Sequence, residues 1–109
     1  MNISPDTLTA TASGLTFNTD LLDNYDTFNV TQTSAATDKI IIPDALEVGA
    51  VIRFISDSAL DFEAETGGSA GINGGSAGQD IPLAANALLV IQKISASNII
   101  ATQYAAARS

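Results

Sequence analysis

The stretch "LDFEAE", residues 60–65, sets Leu60, Phe62 and Ala64 at alternate positions with Asp61, Glu63 and Glu65 between them. Successive side chains of an extended chain point to opposite sides of the pleat, so this pattern describes a strand with one dry face and one wet face. The same period recurs elsewhere. Phe28 and Val30 share one side of "TFNVT", and Val51, Arg53 and Ile55 oppose Ile52 and Phe54 in "VIRFI". Three isoleucines, Ile40 to Ile42, run into Pro43, which lacks the amide that a further ladder position would donate. With 12 Ile, 4 Val and 11 Thr among 109 residues, the chain is rich in β-branched side chains that suit a pleated, half-buried surface. The expectation is an all-β protein.

At this length there is room for one core, which buries roughly 65% of the unfolded surface. Residues 1–13, where "TLTATAS" alternates weakly with threonine, read as an N-terminal arm or edge strand, and residues 14–109 as a single β domain. Asn18, Asp20, Asp23, Asn24 and Asp26 supply turn chemistry for a loop with one helical turn, which leads into the half-buried strand of "YDTFNVTQT". Near the C-terminus, "DIPLAANALLVIQKIS" and "NIIATQYA" read as two strands joined by the polar turn "SASN". Their apolar runs at Leu88–Ile91 and Ile99–Ile100 are nearly continuous, the pattern of strands covered on both faces. Seven to eight short strands at spacings of about 8 to 12 residues predict a small antiparallel β-sandwich or barrel-like domain, jelly-roll-like in outline.

"GGSAGINGGSAGQD", residues 67–80, holds six of the eight glycines and has the look of an anion cradle. A Walker loop needs a lysine followed by Ser or Thr, and a dinucleotide loop must open a helix. Neither condition is met: no Lys or Arg lies between Arg53 and Lys93, and Gly78 leads toward Pro82 and a strand. The segment therefore reads as a glycine-rich hairpin loop, a flexible connection, since doubling a loop costs only ~0.6 kcal/mol of closure entropy. Ile72, isolated within it, needs either a pocket in its own domain or a neighbouring subunit.

Twelve acids against four bases give a net charge of −8, which repels phosphate backbones and anionic headgroups. Nucleic acid and membrane surfaces are not the expected partners. Without cysteine or histidine there is no disulfide, no thiolate nucleophile and no common soft-metal ligand. Asp20, Asp23 and Asp26 lack the central glycine and closing glutamate of an EF-hand, so no metal or other cofactor is assigned. Asp61, Glu63 and Glu65 share one outward face, hydrated and ionised alike, where glycoside hydrolysis would need one carboxyl raised by burial. No enzyme is expected. "MNISPDTLTATASG" has neither the basic nor the apolar region of a secretory signal, so synthesis in the cytoplasm of its producer without a signal peptide is expected.

From Asp38 onward, "DKIIIPDALEVGAVIRFIS", "ALDFEAETGG", "GINGG" and "LLVIQKISASNIIATQYA" follow one another in an order that resembles a β-module of tailed-phage virion proteins, found in head decoration (cement) proteins and in fibre or appendage domains. Related modules often close on a tryptophan, where this chain offers Ile99, Ile100 and Tyr104. The resemblance implies a non-enzymatic virion structural protein on the capsid surface that binds and stabilises the phage head shell, commonly as a homotrimer, with the major capsid protein and sibling copies as partners. The alternative it implies is a fibre domain with a receptor- or glycan-binding role, for which Tyr25 and Tyr104 are the stacking platforms. Candidate subunit or capsid contacts are Ile3 and Leu8 in the arm, Arg53 in its apolar strand, Ile72 and Asn73 in the glycine loop, and Tyr104.

Overall fold

A computed structural model describes residues 6–19, 26–33, 35 and 37–105. Ten strands account for the regular structure of these residues, and no α-helix occurs among them. They are β1 (Asp6–Ala10), β2 (Leu15–Thr16), β3 (Thr27–Gln32), β4 (Lys39–Ile42), β5 (Val51–Ser56), β6 (Leu60–Ala64), β7 (Gly71–Ile72), β8 (Asp80–Leu83), β9 (Ala87–Ser95) and β10 (Asn98–Ala105). Two sheets form, a six-stranded one in the order β1-β3-β5-β9-β10-β7 and a four-stranded one in the order β2-β4-β6-β8.

The all-β expectation holds, but the antiparallel, jelly-roll-like arrangement does not. Of the eight ladders among the described residues, five are parallel: β1 with β3, β3 with β5, β2 with β4, β4 with β6, and β10 with β7. The reason is that the first six strands alternate between the sheets, so each strand returns to its own sheet only after a full circuit and arrives in the same direction. Asp6 thus pairs with Phe28 and Thr27 with Arg53 in one sheet, while Leu15 pairs with Ile40 and Ile40 with Phe62 in the other. The second half supplies the antiparallel pairs, β5 with β9, β9 with β10 and β6 with β8.

The strand count also exceeds the expected seven to eight. "DIPLAANALLVIQKIS" divides at Asn86, whose φ of 60° places it in the left-handed region and turns the chain from one sheet to the other. The two-residue strands β2 and β7 are too short to leave a periodic signature.

The winding stacks inward side chains from both sheets into one core. All four phenylalanines meet there: Phe54 lies 5.7 Å from Phe17, 5.9 Å from Phe28 and 4.7 Å from Phe62, measured between ring centroids. Such tilted and offset rings contribute beyond the area they bury. Ile40, Ile42, Ile52, Leu60, Leu83, Leu89, Ile91 and Ile99 fill the remainder. Leu8 and Ala10 are buried too, so the N-terminal stretch, from Asp6, is an edge strand of the six-stranded sheet; residues 1–5 of the expected arm lie outside the described residues. Asp38, also buried, closes the turn between β3 and β4 by accepting the Thr33 amide at 2.8 Å.

Because Phe54 joins the three other rings, Phe54→Ala is expected to cost ~3–5 kcal/mol of unfolding free energy by chemical denaturation. Tyr104→Ala, on the surface, is expected to stay within ~0.5 kcal/mol. Equal losses for the two would mean that the aromatic cluster does not carry the core.

Candidate functional site

The glycine segment comes first, because it resembles a ligand cradle. It joins β6 to β8, which pair antiparallel, but it crosses to the opposite sheet on the way and lays β7 along β10. Gly71 permits this crossing, since a Cβ there would overlap the Gly75 carbonyl. The Asp44 carboxylate accepts the amides of Ser69 at 2.9 Å and Ala70 at 3.1 Å, while Glu65 Oε1 accepts the Asp44 amide at 2.8 Å. Lys93, buried with its stem in the protein, donates from Nζ to the Asp44 carbonyl at 2.7 Å. The loop amides that face Asp44 already hold an anion, the protein's own carboxylate. The segment is therefore a tethered connection rather than the flexible one expected, held because its backbone donors need partners.

Asn73 continues the tether. Its side chain donates from Nδ2 to the Ala101 carbonyl and accepts the Ala101 amide at 2.8 Å, extending the β7–β10 ladder by one residue. Its φ of 51° is a backbone state that asparagine tolerates. Ile72 is buried in the core beside it. Ile72, Asn73 and Leu8 are thus engaged within the domain, and Ile3 and Tyr25 lie outside the described residues. Arg53 and Tyr104 remain available on the surface, and both stand on the outer face of the six-stranded sheet.

That face has a definite anatomy. One cross-strand row runs Thr7, Asn29, Ile55, Leu88, Tyr104 through five strands. A second runs Thr27, Arg53, Val90, Thr102, and a third Val51, Gln92, Ile100. Arg53 contacts Asp26 Oδ2 at 3.4 Å, with both side chains largely in solvent (45% and 73% exposed), so this is a surface pair of small energetic weight. Beyond the third row Ile94 is 49% exposed, beside Val51 at 39% and Ile100 at 38%, and Val48 in the loop leading into β5 is 58% exposed. The expectation that the apolar runs of β9 and β10 are covered on both faces is therefore met on one face only. Among the described residues, nothing covers the other.

At the opposite end of the same face, the first row floors an open groove of about 890 Å3, walled by Ser56, Asp57, Asn86 and Ala87. Tyr104, 58% exposed, stands at its end. The outer face of the four-stranded sheet differs in kind: Lys39 Nζ meets Glu63 Oε1 at 3.0 Å, and Asp61 and Asp80 flank the pair across β6 and β8. Among the described residues no group of three or more acids converges as a metal site would require, and no helix is long and apolar enough to cross a membrane. Of the groove residues, Asn29, Asp57 and Asn86 carried no sequence signal, being isolated polar residues in a strand or turns. Compared with known protein-family models, characterised proteins and solved structures, the chain matches none.

Two acids titrate with opposite sign. Backbone amides of Ala70 and Ser69 hold the Asp44 carboxyl below its ordinary value of 3.8, so the stabilisation it lends is complete above that value and is lost as pH falls through the lower folded value. Burial, then the Asp80 charge, raises the Asp61 carboxyl, against the attraction of Lys39. Its ionised form is penalised in the fold, fully so above the raised value and not at all below 3.8. Thermal unfolding followed from pH 7 to pH 2.5 is expected to show Asp44→Asn less stable than the parent at neutrality, with a flatter acid limb. Asp61→Asn is expected to gain up to ~0.5 kcal/mol at pH 7 and to lose that gain at low pH.

Proposed function

We propose that this chain is a non-enzymatic structural domain that assembles through the outer face of its six-stranded sheet, and that it serves as a capsid decoration protein on the head shell of a tailed phage, as a homotrimer. The observation that carries this reading is that β9 and β10 are apolar on both sides while the fold covers one. A strand sequence of that kind belongs between two layers. On this reading the second layer comes from another molecule.

Charge supports the same orientation. In a chain of net charge −8, the strands β5, β9 and β10 contain no Asp or Glu, and Asp61, Glu63 and Asp80 lie on the four-stranded sheet. Depletion of charge around an apolar centre is the compositional mark of an interface core. The acidic sheet is then the solvent face that keeps the protein dispersed. A stable interface takes ~800 Å2 from each partner. The chain exposes 5921 Å2 in all, so one sheet face is enough. The virion context rests on the resemblance of the strand and turn order to decoration modules, and the absence of cysteine suits a protein that folds in a reducing cytoplasm.

The double variant Val51→Asp/Ile100→Asp tests the reading, since both positions are exposed in the isolated chain and their replacement should leave the fold intact. By light scattering after size exclusion, the parent is expected to run as a trimer and the variant as a monomer, with co-sedimentation on empty head shells lost. The unfolding midpoint of the two, each measured as monomer, should agree within ~4 °C. A parent that is monomeric and does not bind shells, or a variant that assembles and binds as well as the parent, would overturn the proposal.

A further inference from the structure

Of the asparagines in the sequence, Asn73 alone is followed by glycine. That pair has a chemistry of its own. The backbone nitrogen of the second residue can attack the side-chain Cγ of the first, and glycine leaves that nitrogen unshielded. The pair sits in the exposed turn that follows β7, and a Cβ on Gly74 would meet nothing within 4 Å, so the site is open to water.

Both reacting groups are nevertheless held. The Gly75 amide donates to the Ile72 carbonyl at 2.9 Å and closes a turn with Asn73 and Gly74 at its centre. Their φ values of 51° and 82° are the positive pair that a mirror-image turn requires. The nucleophile of the reaction, the Gly74 amide, donates to Asn98 Oδ1 at 2.9 Å. The electrophile is clamped at both ends of its carboxamide, with Nδ2 donating to the Ala101 carbonyl at 3.2 Å and Oδ1 accepting the Ala101 amide at 2.8 Å. The Asn73 amide donates to the Ile99 carbonyl at 2.7 Å. All of these bonds except the one that closes the turn end on β10, so the pair is released when β7 lifts away from it.

We infer that Asn73–Gly74 is a self-modification site gated by the docking of β7 on β10, converting to aspartate or isoaspartate in copies whose β7 has lifted off. This goes beyond the assembly role proposed above and does not depend on it. In the reaction the Gly74 nitrogen gives its proton to hydroxide and bonds to Asn73 Cγ, the Cγ–Nδ2 bond breaks, and ammonia leaves with a proton from water. A second water opens the cyclic imide at either carbonyl. One opening gives aspartate, the other isoaspartate, in which the main chain runs through the side chain. The net change is one water consumed and one ammonia released.

The product does not fit the seat that Asn73 leaves. A carboxylate only accepts, so the bond to the Ala101 carbonyl is lost and a negative charge faces that oxygen instead. Isoaspartate also adds one atom to the main chain inside the turn between Ile72 and Gly75. Conversion is thus a one-way latch that keeps β7 off β10 and leaves the β10 edge unpaired, the kind of edge to which a further strand adds.

The test incubates the full chain at mildly alkaline pH, folded and in concentrated urea, and follows by mass spectrometry the exchange of an amide for an acid at residue 73. Conversion is expected to be at least tenfold slower in the folded chain than in the unfolded one. Asn98→Ala should speed it several-fold in the folded state, and Asn98→Asp, which keeps an acceptor for the Gly74 amide, should stay near the parent rate. The converted protein, separated by its added negative charge, is expected to exchange the Ala101 amide for deuterium at least tenfold faster than the parent, with the Phe54 amide unchanged. Equal rates in the folded and unfolded chain, an Asn98→Ala variant of normal circular dichroism that converts no faster than the parent, or a converted protein whose Ala101 amide stays as protected as before would each overturn the inference.

Discussion

The fold depends on Phe54. It stands on the third strand of the six-stranded sheet, reaches Phe28 in the same sheet and Phe62 in the facing one, and meets Phe17, which follows β2. Strands that alternate between two sheets make few local contacts, so they are held mainly by what meets in the middle. Four rings in one cluster satisfy that need without a disulfide or a metal. The same cluster has a consequence for the surface: with every phenylalanine buried, one aromatic ring among the described residues, that of Tyr104, is left exposed.

Burial by alternation leaves two outer faces, and they have been written differently. On the four-stranded sheet the outward positions carry the Lys39–Glu63 pair and the carboxylates of Asp61 and Asp80. On the six-stranded sheet they carry Val51, Val90, Ile94 and Ile100, with Arg53 as the single charge within the strands. A wet acidic face and an exposed apolar face on one small domain give it two unlike sides, and the proposed assembly uses the apolar one.

Much of the local structure was legible in the sequence and little of the pairing was. Pro43 ends β4 as its missing amide requires, and the alternations in β3, β5 and β6 assign their inward and outward residues correctly. The circuit that makes the sheets parallel was hidden because its length varies, 22 residues from Asp6 to its partner Phe28 and 26 from Thr27 to Arg53, so no repeat shows. The glycine segment misled for a related reason: Asp44, which fills its amides, lies 25 residues from Ser69. Arg53 and Tyr104 could be singled out one by one, but the row that joins Tyr104 to Asn29 exists only once three ladders are in register. The apolar runs of β9 and β10 led to the expectation of cover on both faces, and the described residues supply it on one.

The central claim is that the outer face of the six-stranded sheet is where the chain meets another molecule. The lack of any native cysteine allows a direct measurement: single cysteines at Ile100 and at Glu63, probed with a maleimide in the isolated chain and in the assembled state on head shells. The account predicts that assembly slows labelling at position 100 strongly and leaves position 63 unchanged. Equal labelling at both positions in both states, or protection at position 63 alone, would contradict it.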